Sequence, residues 1–276
     1  LSIRRQRQMC IRDRDVGTHW LERLPLRAVC TAETQSYLNF ANLDQNGPWK
    51  IRPDHAADLV RSCAYYINPY REWIGAQIRI DAYGYVAAGN PALAAKLAYQ
   101  DASFSHVKNG IYGAMFFAAF IAAAFSSGSI REAIETARHY VPVRSRFAEI
   151  VEQAIAAGES ARSEEELLDR ALAIGAGYNW VHTLNNAALC VAALVYAEGD
   201  LDRAVPLVVM GGMDTDCNGA TVGSIVGAFQ GAEKISAKWK DPLHDTVLSE
   251  VIGYHPIAIS ELARQTVEVI QARITR

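Results

Sequence analysis

Residues 208–231 read VVMGGMDTDCNGATVGSIVGAFQG. Asp214 and Asp216 stand one residue apart in it, just after the pair Gly211–Gly212. Inside a regular helix, residues i and i+2 point to nearly opposite faces. Where a loop turns into a helix they can converge, and the two glycines give such a loop its freedom. The free N–H groups and the macrodipole at a helix N-terminus favour ionised carboxylates. Two hard oxygen donors fixed at that point suit a divalent hard cation such as Mg²⁺, with open positions for water. The same spacing also admits a plainer arrangement, in which one aspartate caps the helix and the other is a solvated turn residue.

The elements that must hold these carboxylates read as helices. After the acidic pair, a helix is expected over 219–231, with Gly219, Gly223, Gly227 and Gly231 along one face. A face without side chains lets another buried helix approach closely. Upstream, 183–199 is almost wholly apolar and ends at Gly199, after which Asp200 is placed to cap the next helix. Residues 110–125 are apolar on all sides and predict a central helix. Asn90 and Pro91 form a good helix start for 89–103. Amphipathic helices are expected over 15–26, with Val16, Trp20, Leu21 and Leu24 on one face and Pro25 at the end, over 52–67 with Asp54 as cap, and over 127–141. Ser163 and Glu166 stand at capping-box spacing for 163–175, so the EEE run at 164–166 reads as a solvated helix start. Further helices are expected at roughly 243–251 and 256–275. Strand-like alternation is rare. The fold class is therefore all-α: one compact multi-helix domain with two or three buried central helices inside a ring of amphipathic ones.

The bulk numbers narrow the function. A chain of 276 residues, half of them hydrophobic, suffices for one large domain or at most two. A net charge of -3 and 21% charged residues argue against a nucleic-acid partner. The longest apolar run, 114–125, is short of the roughly 20 residues of a membrane span. Five scattered cysteines without a CxxC pair suit a reducing, cytoplasmic setting. Residues 1–14, LSIRRQRQMCIRDR, have no periodicity and no caps; they are read as a non-native or disordered tail, and 15–276 as the domain.

The stretch GGMDTDCNGATVGSIVGAFQG resembles the C-terminal signature of the ADP-ribosylglycohydrolase family, in which GG-D-T-D-T-N precedes a small-residue helix. Residues 74–125 resemble the family's middle segment: a Gly-rich stretch, a Gly-Asn-Pro helix start, a Ser-His pair and a buried helix. Residues 177–205 resemble the segment before the metal loop. Three blocks in matching order are more specific than one motif. The resemblance implies an all-α domain with a binuclear Mg²⁺ (or Mn²⁺) site that hydrolyses the glycosidic bond of an ADP-ribosyl substrate, a modified protein or a small molecule. It implies metal ligation by Asp214 and Asp216 and at the position of Cys217. It places Ser105, His106, Asn109, Gly110 and Tyr112 in a loop contacting ADP-ribose, and matches Arg79 to the arginine of the Gly-rich segment, for a structural or phosphate-pairing role.

Four departures stand out. Cys217 replaces a threonine, and a thiol is a poorer partner for hard Mg²⁺ than a hydroxyl. Ile74 stands where the family has an asparagine. Nowhere do two aspartates stand adjacent, as the family's Thr-Asp-Asp half-site requires. The upstream catalytic glutamate has no counterpart, which leaves Glu72 as an acid/base candidate on charge type alone. These departures predict a chain lacking the N-terminal part of its domain, with half a metal site and little activity of its own. Tyr178, Trp180 and His182 form an aromatic cluster suited either to stacking on adenine or to the core. Of Asn185 and Asn186, unusual in so apolar a helix, at least one is expected to face a polar site. Two other functions fit: a non-catalytic structural relative of the same fold, and a hydrolase of another nucleotide-ribosyl compound.

Overall fold

A computed structural model describes residues 16–44 and 62–274. Two stretches in it are short or partial helices: α1 spans 16–23 and α3 is seen over 62–65, with α2 (Thr31–Asp44) between them. The chain continues through α4 (Gly75–Ile78), α5 (Asp81–Val86), α6 (Pro91–Ala102), α7 (Asn109–Ala124), α8 (Ile130–Arg138) and α9 (Arg146–Ser160). Then follow α10 (Glu164–Ile174), α11 (Thr183–Ala197), α12 (Leu201–Met210), α13 (Thr215–Gln230) and α14 (Ala237–Lys240). A two-residue hairpin of β1 (Thr246–Val247) and β2 (Ile257–Ala258), antiparallel, leads into α15 (Ile259–Ile274).

Side-chain caps fix where several of these helices start. Asn90, Ser129, Ser145, Ser163 and Asp200 each accept an N–H from the first turn that follows, so an otherwise orphan donor is satisfied. Glu166 reaches back as expected, but to the N–H of Arg162 rather than that of Ser163.

The two central helices are α7 and α11. Phe116, Phe117, Phe120 and Ile121 of α7, and Leu184, Leu189, Val191 and Leu194 of α11, have no exposed surface. Around α7 pack α4, α5, α6, α8 and α13; around α11 pack α9, α10, α12 and α13. A smaller cluster joins Trp20, Phe40, Cys63 and Phe104, with Val16, Leu21 and Leu24 against it, which is the face expected for the first helix. No described helix is long and apolar enough to cross a membrane.

Three expectations are corrected. Among the described residues no helix covers the glycine face of α13: a Cβ built at Gly223 meets nothing within 4 Å, and at Gly219 or Gly227 only a side-chain tip at 3.9 Å. The packed side of α13 carries Cys217, Asn218, Thr221, Val222, Ile225 and Val226. Close helix approach occurs instead at Gly158 of α9, where a Cβ would lie 2.7 Å from the Ala192 carbonyl of α11. Second, α13 begins at Thr215, so Asp216 lies in its first turn and not in the preceding loop. Third, 243–251 is not a helix. His244 and Asp245 take positive φ, and the Asp245 carboxylate accepts from the N–H and hydroxyl of Ser260, which commits the segment to a turn that closes onto α15. Two longer helices, α2 and α9, and the short α4, α5 and α14 were not singled out in the sequence. The first buries the polar Glu33 and Ser36, which interrupts an apolar stripe; the second shows a regular stripe from Phe147 to Ile155. Asp54 and the tail 1–14 lie outside the described residues.

Candidate metal centre

The loop before α13 turns on positive φ at Gly212 (71°) and Met213 (59°). Asp214 stands at the N-cap of α13, where its carboxylate faces the thiol and N–H of Cys217 and the carboxyl of Asp216. The ligand atoms of Asp214, Asp216 and Cys217 all lie within 4.8 Å of one another. The acidic pair therefore converges. Asp216 is exposed and Cys217 is buried, with Asp214 between. Burial first, and then the adjoining Asp216 carboxyl, raise the Asp214 pKa. Burial and the two carboxylates also push up the Cys217 thiol.

An amide ladder holds this loop from behind. Asn186 Oδ1 accepts from the backbone N–H of Asp214 at 3.2 Å and from Asn218 Nδ2 at 2.8 Å. Asn186 Nδ2 in turn donates to the carbonyls of Trp180 and His182, both at 2.8 Å. Cys190 Sγ donates to Asn218 Oδ1 at 3.3 Å, and Asn185 Nδ2 to the Asn179 carbonyl at 2.9 Å. Both asparagines of the apolar helix are thus satisfied. Asn186 is the one that faces the carboxylate loop.

The same contacts draw helix N-termini together. Residues 71–74 form a turn-rich connector: Ile74 N–H donates to the Val181 carbonyl, Thr183 N–H to that of Glu72, and Val107 N–H to that of Arg71. Trp73 and His182 pair across it as an isolated antiparallel bridge. Glu72 Oε2 accepts from Asn109 Nδ2 at 2.7 Å, which ties the start of α7 to that of α11. His182 caps α11 through Nδ1, at 3.1 Å from Leu184 N, and stacks on Tyr178 with ring centroids 4.6 Å apart. Burial holds the His182 pKa down, against the opposing pull of Glu72. The start of α2 belongs to the same end: the exposed thiol of Cys30 is raised by burial of its base, by Glu33, and also by Asp214 and Asp216. Gln77, fully buried, links α4 to α13 through Thr221 at 3.3 Å.

Not every expected contact residue lies open at this end. Ser105 and His106 have no exposed surface. Arg79 donates to Asp101, Glu33 and Ser105 at 2.6, 2.5 and 2.7 Å, with its guanidinium 4.9 Å from the Trp20 ring. Ser105 Oγ lies 2.8 Å from His106 Nδ1, and burial drives the His106 pKa well below its usual value. These residues form a closed ionic core between α2, α4 and α6. Of the two roles expected for Arg79 the structural one is seen, with its donors taken up by the acids of α2 and α6 and by Ser105; the expected reach of Ser105 and His106 toward a ligand is corrected, since both are fully buried and pair with each other. Gly110 is required by packing, since a Cβ there would lie 2.9 Å from the Arg71 carbonyl. Asn109 is buried on Glu72, and Tyr112 and Tyr178 pack partly on the main core. Ile74 is buried. Glu33, Asp101, Gln77 and Asp81 were missed in the sequence, because a buried polar side chain leaves no periodic signal. Elsewhere, a surface concavity of about 870 Å³ between α8 and α9, lined by Arg138, His139, Arg144 and Glu149 among others, shares no residue with this site.

The ADP-ribosylglycohydrolase family model matches residues 5–275. No curated protein and no solved structure matches the chain significantly. The acidic pair on the α13 turn, the ordered blocks that precede it and a match along nearly the whole sequence agree: the chain belongs to the ADP-ribosylglycohydrolase family.

Proposed function

We propose that this protein is a metal-dependent hydrolase of an ADP-ribosyl linkage, with its cation held at Asp214 and Asp216. The observation that carries the reading is the convergence of Asp214, Asp216 and Cys217 donor atoms within 4.8 Å at the start of a long helix. The donor set fits a divalent cation: two carboxylates abut, and burial, with the adjoining Asp216 carboxyl second, raises Asp214, a cost to the ionised pair that a bound cation relieves. When bound, the cation supplies Lewis-acid polarisation of ribose hydroxyls and of an attacking water.

The rest falls to the protein's own residues. Asn186 fixes the loop that presents Asp214. The N-termini of α7, α11 and α13 gather at one end, and their free N–H groups and dipoles favour an anionic diphosphate there. The Tyr178–His182 stack offers an aromatic face for a base. Glu72, oriented by Asn109 Nδ2, is the carboxylate placed to hold or move a proton at this end. Mg²⁺ or Mn²⁺ is the cation of the resemblance, and the cytoplasm its setting.

Titration of the protein with Mn²⁺ or Mg²⁺ is expected to saturate, and Asp214→Asn to abolish the binding. Release of free ADP-ribose from arginine- or serine-linked substrates tests the reaction. A second reading, a relative that keeps the fold without the chemistry, draws support from the ionic core that absorbs Arg79, Ser105 and His106. A folded protein that binds no divalent cation and releases no ADP-ribose decides for that reading.

A further inference from the structure

Cys217 is the residue that changes the chemistry of the metal loop. Its Sγ lies within 4.8 Å of the oxygens that Asp214 and Asp216 offer. Cys217 is 6% exposed while Asp216 lies open, so sulfur forms the floor of the cluster and carboxylates its rim. The next residue, Asn218, is fully buried and held on both sides, by Asn186 at 2.8 Å and by Cys190 at 3.3 Å. These bonds anchor the first turn of α13, and with it the backbone that carries the thiol.

A sulfur donor at that place discriminates among cations. Thiolate is a soft ligand and favours Zn²⁺ and its neighbours, whereas Mg²⁺ takes oxygen and keeps much of its water. Zinc bonds of about 2.3 Å to sulfur and about 2.0–2.2 Å to oxygen put tetrahedral donors roughly 3.3–3.7 Å apart. Donors already within 4.8 Å of one another lie near that spacing. One open position remains for water or substrate.

We infer that Cys217 is a ligand to the cation held by Asp214 and Asp216, and that it makes the site select a thiophilic divalent cation, of the Zn²⁺ and Co²⁺ class, over Mg²⁺. Binding replaces the S–H bond by a sulfur–metal bond and releases one proton to solvent. The inference rests on the proposed function only in placing a cation at the two aspartates.

The test uses Co²⁺ as a spectroscopic probe on the full chain. The Co²⁺-loaded protein is expected to show a thiolate-to-cobalt charge-transfer band. Cys217→Ser removes the band, and Cys30→Ser at the exposed thiol nearby retains it. Stoichiometric Zn²⁺ displaces Co²⁺, and Mg²⁺ at hundredfold excess does not. Cys217→Thr lowers the preference for Zn²⁺ over Mg²⁺ at least tenfold. Co²⁺ binding that Asp214→Asn abolishes but that shows no charge-transfer band, or that Mg²⁺ displaces at equal concentration, overturns the role of Cys217 and leaves the carboxylate site standing. Absence of binding by any of these cations overturns both. The wild-type spectrum and competition decide the matter whether or not the Cys217 variants fold.

Discussion

Asn186 holds the backbone of Asp214: its side-chain oxygen accepts that N–H at 3.2 Å, from the helix next door. The same oxygen takes Asn218 Nδ2 at 2.8 Å, so one buried amide sets both the entry and the first turn of α13. The position of the acidic pair is thereby a property of the core and not of the loop alone.

Asn186→Ala is expected to lower stability by about 2–4 kcal/mol, since it orphans the Asp214 N–H and the Asn218 amide and removes two bonds to the 180–182 carbonyls. Thermal unfolding measures this loss. Because the ladder orients the ligands, cation affinity should fall by about 10–100-fold in the variant that remains folded, read by titration at a temperature well below its Tm. An unchanged affinity would show that the α13 turn is rigid without Asn186.

Arg79 tests whether the ionic core is structural. Replacing it with Met leaves Glu33 and Asp101 buried without their cation, a change that costs about 3–5 kcal/mol. Glu33 is already raised by its burial, with Arg79 the chief force opposing that rise, so loss of Arg79 drives it further toward the neutral acid. Arg79→Lys keeps the charge but not the fork that spans three acceptors, and should recover only part of the loss in urea unfolding. Full recovery by Lys would mean that charge alone matters here.

Much of this was readable in residue types. The caps at Asn90, Ser163 and Asp200, the apolar runs of α7 and α11, and the acidic pair itself follow from local chemistry and periodicity. That no described helix covers the glycine stripe was not readable. Spacing shows that a face is bare, and only the packing of the other elements shows whether anything lies against it. The ionic core was hidden for a related reason. Ser105 and His106 stand in a loop that resembles a ligand-contacting one, yet Arg79 and its two acids come from segments up to 68 residues apart (Glu33 to Asp101), and nothing in one stretch announces the others. The hairpin before α15 depended on Asp245 finding Ser260, again a contact at a distance in sequence.

The glycines therefore make a paired prediction. Gly223→Ala meets open space and removes backbone freedom from the unfolded chain, so it should stabilise by about 0.4–1 kcal/mol. Gly75→Ala drives a methyl into the Glu33 carboxylate and should cost about 1–3 kcal/mol through the strained ion pair. Equal effects of both, in parallel denaturant melts, would contradict the packing described for either.

Asp81 is an acid that the proposed chemistry does not use. Its carboxylate accepts from Ser224 of α13, and Ser224 accepts from Tyr85 at 2.8 Å. Its other oxygen is buried without a partner. Burial raises its pKa from 3.8 to about 7, with the Ser224 bond opposing. The folded protein therefore binds a proton at Asp81 that the unfolded chain releases near pH 4. Between about pH 4 and pH 7 the unfolded state binds fewer protons there, so stability falls as pH rises through that window and the full penalty is present above it. Asp81→Asn keeps the shape and the acceptor for Ser224 but carries no charge. It is expected to be more stable than the wild type at pH 8, by roughly 1–3 kcal/mol, with the difference shrinking toward pH 4. Urea melts of both proteins at four pH values between 4 and 8 measure it. A wild type whose stability relative to Asp81→Asn rises with pH would place a cation partner beside Asp81 and remove the basis for the shift.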